Sequence, residues 1–404
     1  MPFADPQPDL RALDAFVALC GKRAWRTRMA DLGARAQPGS LRGRAAQQRH
    51  ALELALARLC DRKAVAGASP AERRVCAFAR EAVRLAESLP AAPRARLRDR
   101  ILEGLTGEAT LIPLFHLLRT AALARSRGFE VRFTGLAEGT PYDLLIARGD
   151  TVAEIACETV SAEEGRQLHR GDWWALVDRI NPELQIWLAA HPGRYLLKMT
   201  LPEGLAGPEA LAELHQRISE MLLAEKRQDA GAQAVLKLDP LVIAGAQAAD
   251  RAAAGGLQAR LRALFGPEAH LAVTTDPRSG SIFVMAARAG RENEIAAAVC
   301  RRMARAAGSR LSGREPGILA VFLEDVDRSE WRVLREQLEL EGAVRRFLTT
   351  PPARPVVAVS CASRAEMFGA PSPDAAPEGE LRYRNPAHPQ AKHPALAPAV
   401  LSSM

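Results

Sequence analysis

No apolar run in the 404 residues approaches the roughly 18 to 20 positions needed to cross a bilayer, which argues against a transmembrane helix and against membrane association. Cysteine is sparse. Cys20, Cys60, Cys76, Cys157, Cys300 and Cys361 are scattered, with no CxxC pair and no histidine at ligand spacing, so a zinc site is not expected. Isolated thiols of this kind fit small buried residues in a reducing, cytoplasmic setting. Phosphate-cradling glycine loops are missing as well: neither GxGxxG nor GxxxxGK occurs. Aromatic residues amount to 5%, few to stack on bases. The N-terminal MPFADPQPDL carries early acids and prolines where a secretory signal would place a basic start and an apolar stretch, so no signal is expected there.

What is present is a globular composition, 48% hydrophobic and 25% charged, over a length that suggests two or three domains. The net charge of +8 is unevenly placed. Residues 1–105 hold 20 Lys and Arg against 11 Asp and Glu, an excess of nine, which leaves the remainder of the chain one charge negative. Such an excess can bind phosphate backbones; interspersed with acids, it also fits the solvated faces of arginine-rich helices.

The periodicity divides the chain into four regions. Residues 1–105 read as an all-α basic domain, with Leu10, Leu13, Phe16, Val17 and Cys20 on one helical face and Ser69-Pro70 capping a later helix. From 106 to 245 a helix with the stripe Leu114, Leu117, Leu118 and Ala121 precedes three strand-like runs at 129–133, 142–147 and 152–159. A helix over about 163–180, a short helical segment after Pro182 and a strand at 195–201 follow. The order is α-β-β-β-α-β. Residues 246–363 open on a Gly/Ala-rich joint and alternate strands with helices, a further mixed α/β region that includes one helix over 328–348. Residues 364–404, rich in Pro and Ala, read as a disordered tail.

The chemistry-bearing residues lie in the second region. Asp143 heads one strand, and Glu154, Ala156 and Glu158 alternate along the next, so strand period places these three on one face. A hairpin symmetric about Gly149 sets Asp143 opposite residue 155. Carboxylates this close are costly without a cation between them, and Lys198 or Arg166 is the side chain expected to supply it. As an exposed sheet edge, the same acids would serve only to deter aggregation. His116, on the stripe side of its helix, reads as a satisfied, partly buried histidine.

The order α-β-β-β-α-β, the PYDLLI strand and the run AEIACETVSAEEGR resemble the PD-(D/E)XK nuclease superfamily, including bacterial sequences in which Cys157, Thr159, Ser161, Glu164, Gly165, Arg166 and His169 have counterparts. The similarity covers about 100 residues of the 404. It implies a restriction-endonuclease-like core, nucleic acid as partner, and a Mg²⁺ ion held by Asp143 and Glu158 with Glu154 as supporting acid. Lys198 or Arg166 would then stabilise charge during phosphodiester hydrolysis. The chain departs from that pattern at two positions: Ala156 stands where the family has its acid, and Glu158 where it has lysine. Glu108 is the only candidate for the family's further acid on the first helix. The expected function is thus a divergent nuclease-like protein acting on nucleic acid. The alternatives are an inactive nuclease-fold module that binds nucleic acid or protein, and a structural protein in which the acids are a solvated face.

Overall fold

The computed structural model describes residues 7–205, 207–241, 254–266, 268–364 and 379–403. Two compact units emerge. The first comprises 1–36, 46–164 and 296–404, and the second 37–45 and 165–295. The second unit is therefore an insertion, entered after Glu164 and left at Ala296.

The first unit begins with α1 (Gln7–Cys20), α2 (Lys22–Arg35), α3 (Leu41–Arg49, whose first half belongs to the second unit), α4 (Ala51–Leu59), α5 (Arg62–Ala66), α6 (Pro70–Ser88) and α7 (Ala91–Gly104). These are the helices expected from the N-terminal periodicity. α6 starts where its caps require: Ser69 accepts the N–H of Glu72, the Glu72 carboxylate accepts the N–H of Ser69, and Pro70 needs no donor. Its buried face, Val75, Phe78, Ala79, Ala82 and Leu85, meets Phe16 of α1, with the Phe16 and Phe78 rings 5.4 Å apart. Next come α8 (Ile112–Ser126), β1 (Glu130–Arg132), α9 (Thr134–Ala137), β2 (Leu144–Arg148) and β3 (Thr151–Ser161). α8 is buried nearly all round, the pattern of a helix covered on more than one side.

The chain completes this unit with α13 (Ile295–Arg310), β9 (Gly317–Glu324), α14 (Arg328–Glu336), α15 (Glu339–Leu348), β10 (Val356–Ser363) and β11 (Leu381–Arg384). The sheet order is β1-β2-β3-β9-β10-β11, with β1 to β3 an antiparallel meander, β9 and β10 parallel to β3, and β11 antiparallel at the edge. Central strands buried on both faces lose their alternation, and β9 reads accordingly as the continuous run GILAVFL. Ala153, Ile155, Ile318, Ala320 and Phe322 share one core with α8.

The second unit holds α10 (Arg170–Ala190), β4 (Arg194–Leu201), α11 (Gly207–Leu223), β5 (Gln228–Ala230), β6 (Val235–Pro240), α12 (Ala254–Phe265), β7 (His270–Asp276) and β8 (Ser281–Ala289). Its sheet runs β5-β6-β4-β8-β7, and Trp173, Leu176, Ile180, Leu184, Ile218 and Phe283 sit in its main core.

Several expectations are corrected. The strand at 195–201 exists as β4 but pairs with β6 and β8, so the core is not continuous over 106–245; β9 takes the place beside β3. The helix expected over 163–180 begins at Arg170 and runs to Ala190 through Pro182, whose lost hydrogen bond is absorbed by a helix buried along one side. The single helix over 328–348 is broken at Leu338, which adopts φ 56. The disordered tail is also overturned for residues 379–403. Leu381, Tyr383, Leu396 and Val400 are buried there, β11 pairs with β10, and Asn385 Nδ2 donates to Val356 O at 2.8 Å. Residues 365–378, and the Gly/Ala joint up to 253, lie outside the described residues.

Candidate functional site

β2 and β3 are joined by a two-residue turn, Gly149-Asp150, with Gly149 at φ 59, a conformation that glycine adopts without strain. Arg148 pairs with Thr151 and Leu144 with Ile155, which brings Asp143 opposite residue 156, one position from the symmetric expectation. β2 stops there. Beyond it Asp143 alone flanks β3, accepting the N–H of Cys157 on Oδ2 at 2.9 Å while its own N–H donates to Ile155 O at 3.0 Å. Gly135 of α9 closes in from behind: a Cβ on it would stand 2.8 Å from Tyr142 O and 3.0 Å from Asp143 Cα.

Asp143 and Glu158 do converge, and a cation lies between them. Arg310, the last residue of α13, donates from Nη2 to Asp143 Oδ2 and from Nη1 to Glu158 Oε1, both at 2.7 Å, and from Nε to Pro141 O at 2.6 Å. Arg100 of α7 donates to Asp143 Oδ1 at 3.1 Å, and Arg302 of α13 pairs with Glu158 Oε2 at 3.2 Å. Burial pushes the Glu158 carboxyl above its ordinary range; Arg310 and Arg302 oppose this, and Asp143 reinforces it. Two carboxylates thus face three guanidinium groups.

Glu154 lies on the same strand but does separate work. It is 1% exposed, and its carboxylate accepts the Ser312 N–H at 2.8 Å and the Ser312 hydroxyl, tying down the turn between α13 and β9. The two expected cations are elsewhere. Lys198 is on β4 of the second unit, donating to Asp239 Oδ2 at 3.1 Å, and Arg166 is a buried residue of that same unit. Glu108 forms a two-pronged pair with Arg35, at 2.6 and 2.7 Å. His116 is buried more fully than expected, with Nε2 2.9 Å from Ala320 O and Nδ1 without a hydrogen-bond partner among the described residues, and burial holds its pKa down to about 4.

A cavity of about 480 Å³ opens beside Asp143 and Glu158, lined also by Thr159, Arg310, Arg49 and Glu324. Arg310, Arg302, Arg49 and Glu324 were not anticipated from the sequence. Arg302 and Arg310 stand eight residues apart on a helix, a little over two turns, and that spacing was the one local sign that they share a side.

A Mg²⁺ ion needs hard oxygen ligands with free lone pairs in octahedral array. As folded, the donor set does not fit it. Every oxygen of Asp143 and Glu158 is engaged by a guanidinium or an N–H, Glu154 is spent on Ser312, and among the described residues no group of three or more His, Cys, Asp or Glu is placed to hold a metal. Comparison with protein-family models, with curated proteins and with solved structures returns no match.

Proposed function

We propose that the first unit is a nuclease-like core whose cation is its own Arg310, and that the protein binds nucleic acid without cleaving it. The observation that carries this is the Arg310 fork across Asp143 and Glu158. The topology lends support. α8, the β1-β2-β3 meander, α13 and β9 follow one another in the order α-β-β-β-α-β with β9 parallel to β3, once the inserted unit between β3 and α13 is set aside. A guanidinium cannot generate a metal hydroxide, since it holds its proton at all accessible pH and carries no open coordination position. It can, however, keep an acid pair compact next to a phosphate. Arg49, Arg100 and Arg310 line the cavity, and residues 1–36 and 46–105, which supply the N-terminal helices of this unit, hold 18 Lys and Arg against 11 Asp and Glu, an excess of seven.

Fluorescence anisotropy with labelled single-stranded and duplex DNA and RNA tests the reading. Binding is expected to weaken on a log–log plot against salt with a slope of about −0.7 to −0.9 per phosphate contacted, with no strand scission in Mg²⁺ or Mn²⁺. Hydrolysis that Asp143→Ala abolishes would overturn the inactive assignment in favour of a metal-dependent nuclease. Binding that is absent, or indifferent to salt, would remove nucleic acid as the partner.

A further inference from the structure

A second polar cluster is buried at the C-terminal ends of β3, β9 and β10 in the first unit; Arg49 and Glu324 of this cluster also line the cavity, but the proposed binding role does not draw on its acids. Glu53 of α4 is 0% exposed; its Oε1 accepts the N–H of Leu111 at 2.7 Å, and its Oε2 has no hydrogen-bond partner among the described residues. Glu324, the last residue of β9, accepts from Thr110 Oγ1 at 3.4 Å, and that hydroxyl accepts the N–H of Ile112 at 3.3 Å. The two acids therefore act on consecutive residues at the start of α8, whose cap position, Leu111, has no side chain able to do so.

The charged and titratable groups around the pair come from five segments. Arg28 of α2 is committed to Gly107 O and Ala109 O at 2.7 and 2.6 Å. Arg49 of α3 is committed to Asp325 Oδ2 at 2.8 Å, and Ser161 of β3 donates to the same oxygen at 2.6 Å. His50, next to Arg49, is kept neutral by burial and by Arg28, with its pKa held down to about 4. Glu108 before α8, Asp325 after β9 and Arg364 after β10 complete the set, and Asp325 stands in the left-handed region at φ 59. A fully buried carboxylate oxygen that no donor meets is far more costly ionised than protonated.

We propose that the Glu53–Glu324 carboxyl pair is a proton-operated latch, which seats the start of α8 against the end of β9 while the pair holds a proton and releases it when both acids ionise. Burial pushes both carboxyls up, Glu324 to about 7, where Asp325 and Glu53 add to the effect and Arg49 opposes it. The folded chain thus keeps a proton that the unfolded chain gives up near the ordinary glutamate value of 4.5. The stabilisation is complete below that value and is lost as pH rises through about 7. Pro113, Leu114 and Leu117 at the start of α8 line the cavity beside Asp143, so the latch lies against one wall of that cavity.

Hydrogen exchange on the full-length protein between pH 6.5 and 8 tests this, since over that range the buried histidines stay neutral and Glu324 loses its proton. After correction for intrinsic rates, the Leu111 and Ile112 amides of the wild type are expected to lose roughly fourfold in protection across the window, the limit for one carboxyl titrating near 7. Glu324→Gln, which cannot ionise yet still accepts from Thr110, is expected to hold its protection constant. A wild-type profile that is flat, or a Glu324→Gln profile that falls in parallel with it, overturns the latch. The thermal midpoint of the wild type gives a second measure that needs no variant: it should decline from pH 6.5 to 8, and a level or rising midpoint overturns the proposal as well.

Discussion

Arg310 and Asp143 are 167 residues apart in the chain, yet the Arg310 Nη2 to Asp143 Oδ2 distance is 2.7 Å and the same guanidinium reaches Glu158. The pair joins the end of α13 to the open end of the β2–β3 hairpin and fills the space where two carboxylates alone would repel.

Arg310→Ala should therefore do two things. It should destabilise the protein by about 1–2 kcal/mol, less than for a fully buried pair because Arg310 keeps partial exposure and Arg100 and Arg302 remain. It should also free Glu158 Oε1 and take the guanidinium off Asp143 Oδ2, which keeps the Cys157 N–H, so that millimolar Mn²⁺ raises the melting temperature of the variant and leaves that of the wild type unchanged. Equal responses to Mn²⁺ would show that Arg310 does not stand in for a cation.

The local part of this site was legible in the sequence. Strand period placed Glu154, Ala156 and Glu158 on one face, the turn at Gly149 implied the hairpin, and Asp143 at a strand head followed. The capping box of α6 was readable for the same reason, because every group involved lies within four residues. The cation was not. Lys198 satisfied every local criterion, standing on a strand after a helix at the right place in the order. Which strand joins β3 is decided by packing across an insertion of 131 residues, and no periodicity reports it. The tail misled in another way. Leu381, Tyr383, Leu396 and Val400 are few, but each is placed to bury against a sheet edge, and composition alone does not weigh position.

Glu154 tests whether the acids of β3 have one role or two. Glu154→Ala removes the buried carboxylate that accepts the Ser312 N–H and hydroxyl; Ser312 is exposed and water can take over as acceptor, so the loss is that of ordinary hydrogen bonds, about 0.5–1.5 kcal/mol measured by urea denaturation. Nucleic-acid affinity at low denaturant should be unchanged. A selective loss of affinity without loss of stability would put Glu154 back in the binding site.

Acid sensitivity should come in part from His116. Its pKa is held near 4 in the fold against 6.5 when free, so the neutral form is favoured on folding, and the contribution is present above 6.5 and lost as pH falls through about 4. The shift corresponds to about 3 kcal/mol at most. His116→Gln, able to donate to Ala320 O and unable to protonate, should show a shallower fall in urea midpoint between pH 6.5 and 4 than the wild type. Superimposable profiles would assign the acid limb to other groups.

Glu380 provides the sharpest check that residues 379–403 belong to the fold. It is 2% exposed, accepts from Arg127 Nη2 at 2.7 Å and pairs with Arg119 at 3.5 Å; although burial alone would push its carboxyl up, those arginines hold it below the ordinary range. Arg119 lies in α8 and Arg127 is the residue that caps its C-terminal end, so the ion pairs fasten the segment leading into β11 to that helix. Glu380→Ala removes the buried carboxylate that two largely buried arginines share and should cost about 3–5 kcal/mol. Adding Arg127→Ala removes one of the two charges that Glu380 offsets, so the double variant should be less destabilised than the sum of the single variants. Additive losses in that cycle would mean that Glu380 and Arg127 do not interact, and a loss below 0.5 kcal/mol for Glu380→Ala, about the level of a surface substitution, would mean that the segment is not docked.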